Sequence, residues 1–350
     1  MTKKTDLRQV YEALPKLLVP WYSVNARALP WRENKNPYYV WLSEIMLQQT
    51  RVEAVRGYFS RFISAFPTAS LLANADENAV LKLWEGLGYY SRARNLHKAA
   101  QKIETEYGGK FPGTYAEILA LPGVGEYTAG AVSSICFELP TPAVDGNVLR
   151  VVSRVTNSAA PIDRPETKKE ITENLRQVYP EGHCGDFTQS LMELGATICI
   201  PKSPRCTLCP LSDICLGFQA GTCAALPKKS PKKERRIEKK TVFFLTAEGK
   251  LALRKRKSTG LLASLWELPN TEGHMSAHEA VQYAEKLGLS PQAPLREARR
   301  VHIFTHVEWH MVCFYIPCQL LPDTFIWADH AALESEYALP TAFRMFLEDA

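Results

Sequence analysis

The stretch "CIPKSPRCTLCPLSDIC", residues 199 to 215, sets four cysteines at the spacing C-x6-C-x2-C-x5-C in a 350-residue chain that holds nine. Cys199, Cys206, Cys209 and Cys215 can reach the corners of a tetrahedron, a ligand set for structural zinc or for a four-iron cluster. Zinc sites of this kind usually carry two C-x2-C knuckles, and only one is present. Pro201, Pro204 and Pro210 stiffen a loop that would wind around a compact body. An odd cysteine total argues against a disulfide framework, and clustered thiols in a reducing compartment are more often metal ligands.

Upstream of this loop the pattern is helical. Apolar stripes of 3.6-residue period are separated by short breaks at "FPTAS", "YGGKFPGTY", "LPGVGEY" and "LPTPAVDGN". Downstream, "LPKKSPKKERRIEKK" (226–240) is almost free of apolar residues and reads as a basic linker. Residues 228–257 hold 13 Lys/Arg against 3 Glu, a local balance of +10 in a chain whose total is +5. Such a stretch suits a polyanion and suits a solvated linker equally. Beyond it, "TVFFLTAEGKLALRKR" predicts a hairpin, and Ser276 with Glu279 and a terminal Gly288 predicts a capped helix. From Val301 to Tyr315 the odd positions form a mostly apolar face opposite His302, His306 and His310. Two domains are expected: an all-α domain over 1–225 and an α+β domain over 241–350. The opening "MTKKTDLRQV" has no secretory pattern and no apolar run reaches membrane-spanning length, so a cytoplasmic protein without membrane association is expected.

Three upstream features have chemical meaning. "LPGVGEYTAGAV" (121–132) joins two helical runs through Gly123 and Gly125, which permit positive φ and close approach of backbone N–H groups to a phosphate; a tight αα corner would look the same. Asp145, in "TPAVDGNVLRVVSR", precedes a resuming helix and serves as an N-cap whatever else it does. In "WLSEIMLQQTRVEAV" (41–55), Glu44 shares a helical stripe with Val40, Trp41 and Leu47, apolar company that favours its protonated form.

Taken together, the hairpin, the Asp about twenty residues on and the four cysteines resemble the endonuclease III and MutY group of helix-hairpin-helix DNA glycosylases. "SEIMLQQT" is similar to the catalytic segment of the MutY branch. The resemblance implies a helix-hairpin-helix glycosylase domain with a [4Fe-4S] cluster on Cys199, Cys206, Cys209 and Cys215, followed by a Nudix-like domain that lacks the metal-binding Glu array and therefore binds without hydrolysing. It implies Glu44 as general acid and Asp145 as the carboxylate facing the sugar. Tyr127 stands where bifunctional relatives place a Schiff-base Lys, which implies a monofunctional enzyme. Trp31, Arg32 and Gln189 would line the adenine pocket. Gln49 and Tyr89 would fill the gap left by the flipped base, with a core aromatic the alternative reading of Tyr89. Phe304, Thr305 and His306 match the family's Phe-Ser-His loop for 8-oxoguanine, and Lys202 and Arg205 would press on the DNA backbone. The expected partner is duplex DNA with adenine opposite 8-oxoguanine or guanine, bound by a monomer acting on bacterial-type nucleoid DNA.

Overall fold

The computed structural model describes residues 6–231 and 234–348. They divide into two compact units, Met1–Asn74 with Lys98–Pro231 and Ala75–His97 with Lys232–Ala350. Lys232 and Lys233 of the expected linker lie outside the described residues, as do 1–5 and 349–350 of the expected domains. The linker's last residues are strand, because Arg236–Lys240 find backbone partners across from Val307–Met311.

The helices run α1 (Leu7–Asn25), α2 (Pro37–Leu47), α3 (Val52–Ala65), α4 (Ala69–Ala73), α5 (Glu77–Leu83), α6 (Ser91–Tyr107), α7 (Tyr115–Leu119), α8 (Glu126–Phe137), α9 (Gly146–Val155), α10 (Pro165–Arg176), α11 (Cys184–Thr197) and α12 (Leu216–Gln219). Local chemistry sets many of their starts. Asp6, Asn36, Thr68, Asp76, Thr114 and Asp145 each accept a first-turn backbone N–H with the side chain. α2 is buried on every side, against α3 and α8, and Glu44 is its only charged residue. A second core joins Leu14 and Leu18 of α1, Val148, Val151 and Val152 of α9, and Phe187, Leu191 and Leu194 of α11. That core continues into Leu211, Cys215 and Cys223, so the cysteine loop is built onto it. Full burial of a side chain such as Phe187 contributes about 1.5–3 kcal/mol.

The second unit centres on a mixed sheet of β1 (Arg236–Ala247), β2 (Lys250–Lys255), β3 (Trp266–Glu267), β4 (Asn270–Glu272), β5 (Arg296–Ile303), β6 (Val307–Pro317) and β7 (Ile326–Ala328), in the order β3-β2-β1-β6-β5 with β4 on β1 and β7 on β2. The predicted hairpin is β1–β2, closed at Glu248 and Gly249, which both take positive φ. β1 and β6 run parallel, and β1 is buried on both faces, hence its unbroken "TVFFL". Alternation sends Val242 and Phe244 to one core with Phe343 and Phe346, and Phe243 and Leu245 to another with Ala280 and Ala284 of the predicted capped helix α13 (Ala277–Lys286). Helices α14 (His330–Ser335) and α15 (Thr341–Arg344) follow. The apolar face expected over 301–315 holds from Val307 onward only. The chain reverses at 304–306, and Val301 and Ile303 are left exposed opposite His310 and Glu308.

The 75–97 segment is tied into this unit by specific bonds. Lys82 Nζ donates to Leu333 O and Tyr337 O, Glu85 accepts Leu339 N at 2.9 Å and pairs with Arg344 at 3.1 Å, and Arg94 donates to Ala263 O. Among the described residues, no helix is long and apolar enough to cross a membrane.

Candidate active site and cysteine centre

A cavity of about 570 Å3 opens in the first unit between α2, α8, α11, the start of α9 and the turn Pro30–Arg32. Eight expected site residues line it: Glu44, Tyr127, Asp145, Trp31, Arg32, Gln189, Gln49 and Gly125. The volume suits an extruded nucleotide.

Glu44 is buried, and its partner is Tyr127, whose hydroxyl donates to Oε2 at 2.6 Å. Burial pushes the Glu44 carboxyl up to about 7; the Tyr127 hydrogen bond pulls it down, Asp145 raises it and Arg32 lowers it. Burial raises Tyr127 well above the ordinary phenol range, with Glu44 and Asp145 adding to it. The phenol stays neutral and serves as a donor.

Asp145 is both N-cap and cavity wall. Its Oδ1 accepts Val148 N at 2.8 Å and its Oδ2 accepts Asn147 Nδ2 at 2.7 Å. Burial raises its pKa, against these hydrogen bonds and the Arg150 charge. Arg150 in turn donates to Asn147 Oδ1, Gly195 O and Cys199 O, each at 2.8 Å. A side chain on Gly195 would meet Asn147 Cβ at 2.6 Å, so α11 approaches the Asp145 cap as closely as only glycine permits.

Glu193 was not anticipated from sequence. It lies one turn beyond Gln189 on α11, fully buried, and is held by Arg27 at 2.6 Å and Arg32 at 2.9 Å. Burial would raise its pKa, but the two guanidinium groups hold it below the ordinary value. The triad fixes Arg32, with Trp31 beside it packed edge-on against Phe59. The i,i+4 spacing in "QSLME" was the available signal.

The four cysteines line a second cavity of the same unit, together with Arg205 and a fifth thiol, Cys223, which lies against Cys206 and Cys215 and escaped the spacing pattern. No three His, Cys, Asp or Glu among the described residues are placed to hold a single metal ion. Arg154, almost fully buried, donates to Cys199 Sγ at 3.3 Å and to the carbonyls of Ile200, Pro201 and Leu226. A cation held against thiol sulfur suits a site where several thiolates collect. Burial pushes Cys209 up to about 12 and raises Cys206 and Cys215, so these three are thiols until a metal draws the protons off. Lys202 and Arg205 are both exposed.

In the hairpin, Gly123 takes the expected positive φ of 74°; Gly125 does not, and stands at −102° as N-cap of α8. A side chain on Gly125 would meet nothing, so the fold itself makes no demand for glycine there. In the second unit, Tyr89 is half exposed, not a core aromatic, and its hydroxyl lies 3.0 Å from Thr305 Oγ1. Phe304 packs edge-on against Trp309, which leaves Thr305 and His306 at the exposed tip. Gln49 and Tyr89, the two residues expected to fill the duplex gap, both hold left-handed backbones, φ 58° and 48°. Strain of that kind collects at functional positions.

Residues 42–181 match the HhH-GPD superfamily base excision DNA repair protein family, and residues 241–349 match the NUDIX domain. The adenine DNA glycosylase of Buchnera aphidicola subsp. Baizongia pistaciae is 37% identical over 72% of this chain and 72% of its own length. That of Buchnera aphidicola subsp. Schizaphis graminum is 32% identical over 90% and 92%. A solved thermostable thymine-DNA glycosylase superposes with a TM-score of 0.56 at 27% identity, covering 61% of this chain and 99% of that one. On this identity and coverage, the chain belongs to the adenine DNA glycosylases, base excision repair enzymes that hydrolyse the N-glycosidic bond.

Proposed function

We propose that this glycosylase extrudes adenine standing opposite 8-oxoguanine, or guanine, and hydrolyses its bond to the sugar to leave an abasic site without cutting the strand. The observation that carries the reading is the meeting of Glu44, Tyr127 and Asp145 in one cavity with Glu44 raised to about 7. Glu44 gives its proton to adenine N7 and makes the base a better leaving group. Asp145, as carboxylate, stabilises positive charge developing on the sugar, and the ionised Glu44 then activates the attacking water. Tyr127 occupies the place where a Lys would form a Schiff base; a phenol cannot, so no lyase step starts there.

Trp31, Arg32 and Gln189 hold the flipped adenine, Gln189 because an amide can donate and accept together. Gln49 and Tyr89 fill the gap in the stack, and Phe304, Thr305 and His306 meet the opposing 8-oxoguanine. Backbone N–H groups at Gly123 and Gly125 take a phosphate, which supplies the reason for glycine at 125 that the folded chain does not. Lys202 and Arg205 add charge on the same strand. The Nudix-like domain binds and does not hydrolyse: Glu279 of α13 is occupied in its cap with Ser276, and only Glu285 remains on that helix. Cys199, Cys206, Cys209 and Cys215 hold a [4Fe-4S] cluster, which when bound supplies a covalent anchor for the loop. The enzyme acts as a monomer on nucleoid DNA.

The test is a duplex with one adenine opposite 8-oxoguanine, with strand breaks compared before and after alkali. Breaks that appear only after alkali are expected; breaks without alkali would overturn the monofunctional reading, and no adenine release would overturn the substrate.

A further inference from the structure

Three of the four residues Gly86–Tyr89 hold left-handed backbones: Gly86 (φ 94°), Gly88 (φ 73°) and Tyr89 (φ 48°). Glycine adopts this freely, whereas a tyrosine must be held in it by its surroundings. The holding group is Arg92, the second residue of α6, which is 8% exposed. Its Nη2 donates to the carbonyls of Leu87 at 3.2 Å and Gly88 at 3.1 Å, while its backbone N–H donates to Tyr89 O at 2.8 Å. The guanidinium lies between two aromatic faces, 5.3 Å from the Trp84 ring and 5.6 Å from the Tyr89 ring. Trp84 Nε1 adds a bond to Gly88 O at 3.2 Å, and Tyr90 Oη accepts Gly86 N at 3.3 Å. The buried cation therefore fixes the carbonyls before Tyr89 and the face of its ring, and the hydroxyl at the far end of that ring is the one that meets Thr305. Burial lowers the guanidinium to about 10, so it remains charged at neutral pH.

We propose that Arg92 is a positioning residue for specificity: it holds Tyr89 in the strained conformation that fills the duplex gap and joins it to Thr305, and through them sets the preference for adenine opposite 8-oxoguanine over adenine opposite guanine. This rests on the reading of Tyr89 and Thr305 as groups that meet DNA. Arg92 touches neither the base nor Glu44, so its loss changes discrimination and affinity more than chemistry.

The test uses full-length Arg92→Met, Arg92→Lys, Trp84→Phe, Tyr89→Ala and the Tyr89→Ala/Arg92→Met double variant. Single-turnover adenine release is measured against enzyme concentration on both duplexes. For Arg92→Met the half-saturating concentration on the 8-oxoguanine duplex is expected to rise about tenfold, the saturated rate to change by less than about threefold, and the preference over guanine to shrink by a similar tenfold. Arg92→Lys, which keeps the charge without the two-carbonyl fork, restores part of it. In the Tyr89→Ala background the added Arg92→Met has no further effect on preference. An unchanged preference in Arg92→Met, with only thermal stability lowered, overturns the proposal. Should Arg92→Met fail to fold, Trp84→Phe, which keeps the ring but drops the bond to Gly88, must show the same loss in smaller degree, and an unchanged preference there overturns it. If Tyr89→Ala keeps its preference, the underlying reading of Tyr89 falls; if Tyr89→Ala loses it and Arg92→Met does not, the positioning role alone falls.

Discussion

Two of the cavities in the helical unit, the one at Glu44 and the one at the cysteine loop, are lined by buried ionisable groups and handle the cost of burial in opposite ways. In the candidate active-site cavity the groups come from separate helices and differ in their surroundings: burial raises Glu44 to about 7 beside the Tyr127 hydroxyl, and raises Asp145 against the hydrogen bonds it accepts from Val148 and Asn147. In the cysteine cavity the expected ligands come from one short loop, share one chemistry and have Arg154 at one sulfur. The first arrangement sets unlike groups from separate elements side by side, and the second gathers like groups on one loop. Helix α9 serves both: its first turn carries the Asp145 cap, and Arg150 and Arg154 lower on the same helix bond the cysteine loop.

Substitutions should separate the two. Glu44→Gln is expected to cut single-turnover adenine release by about a hundredfold to ten-thousandfold while leaving duplex binding intact; release within tenfold of the parent enzyme would remove Glu44 as the acid. Cys209→Ala should act through folding: loss of the visible iron–sulfur absorption and of several kcal/mol of stability, roughly 3 or more, read by denaturant unfolding. A variant that lost the absorption yet unfolded at the parent midpoint would erase the contrast between the cavities.

The pH dependence follows from Glu44. Its folded value of about 7 exceeds the unfolded 4.5, so the folded state binds the extra proton between those limits. Its contribution is full below pH 4.5 and lost as pH rises through about 7, roughly 3 kcal/mol in all. Adenine release should fall with rising pH over the same upper range, and Glu44→Gln should flatten the stability slope. A parent protein whose stability does not decline between pH 5 and 8 more steeply than the Gln variant would refute that assignment. The mildest test is Gly195→Ala, which forces Asn147 aside at a cost of about 1–3 kcal/mol and should slow adenine release while the visible absorption persists.

What could be read in the sequence was local. The Ser276–Glu279 capping box, the Glu248–Gly249 turn, the Asp145 cap and the spacing of four cysteines are each written within a few residues, and each is found in the structure. Glu44 was readable because a charge inside an otherwise apolar helix has few explanations. Glu193 needs Arg27 and Arg32 from more than 160 residues away, and Arg150 needs Cys199. Cys223 lies outside the ligand spacing and meets Cys206 and Cys215 only after the loop has wound back. The even-handed alternation of 301–315 misled because a reversal at 304–306 shifts which residues face the core.

The ties from Lys82, Glu85 and Arg94 to residues 263–344 have a consequence for synthesis. The chain emerges from the ribosome in order, and at about 5–20 residues per second the segment 75–97 precedes its partners by roughly 10–50 s. During that interval α5 and the Tyr89 turn exist without the carbonyls, the Leu339 N–H and the Arg344 guanidinium that will hold them. Completion of the second unit therefore waits on the last quarter of the message, although it was begun in the first third.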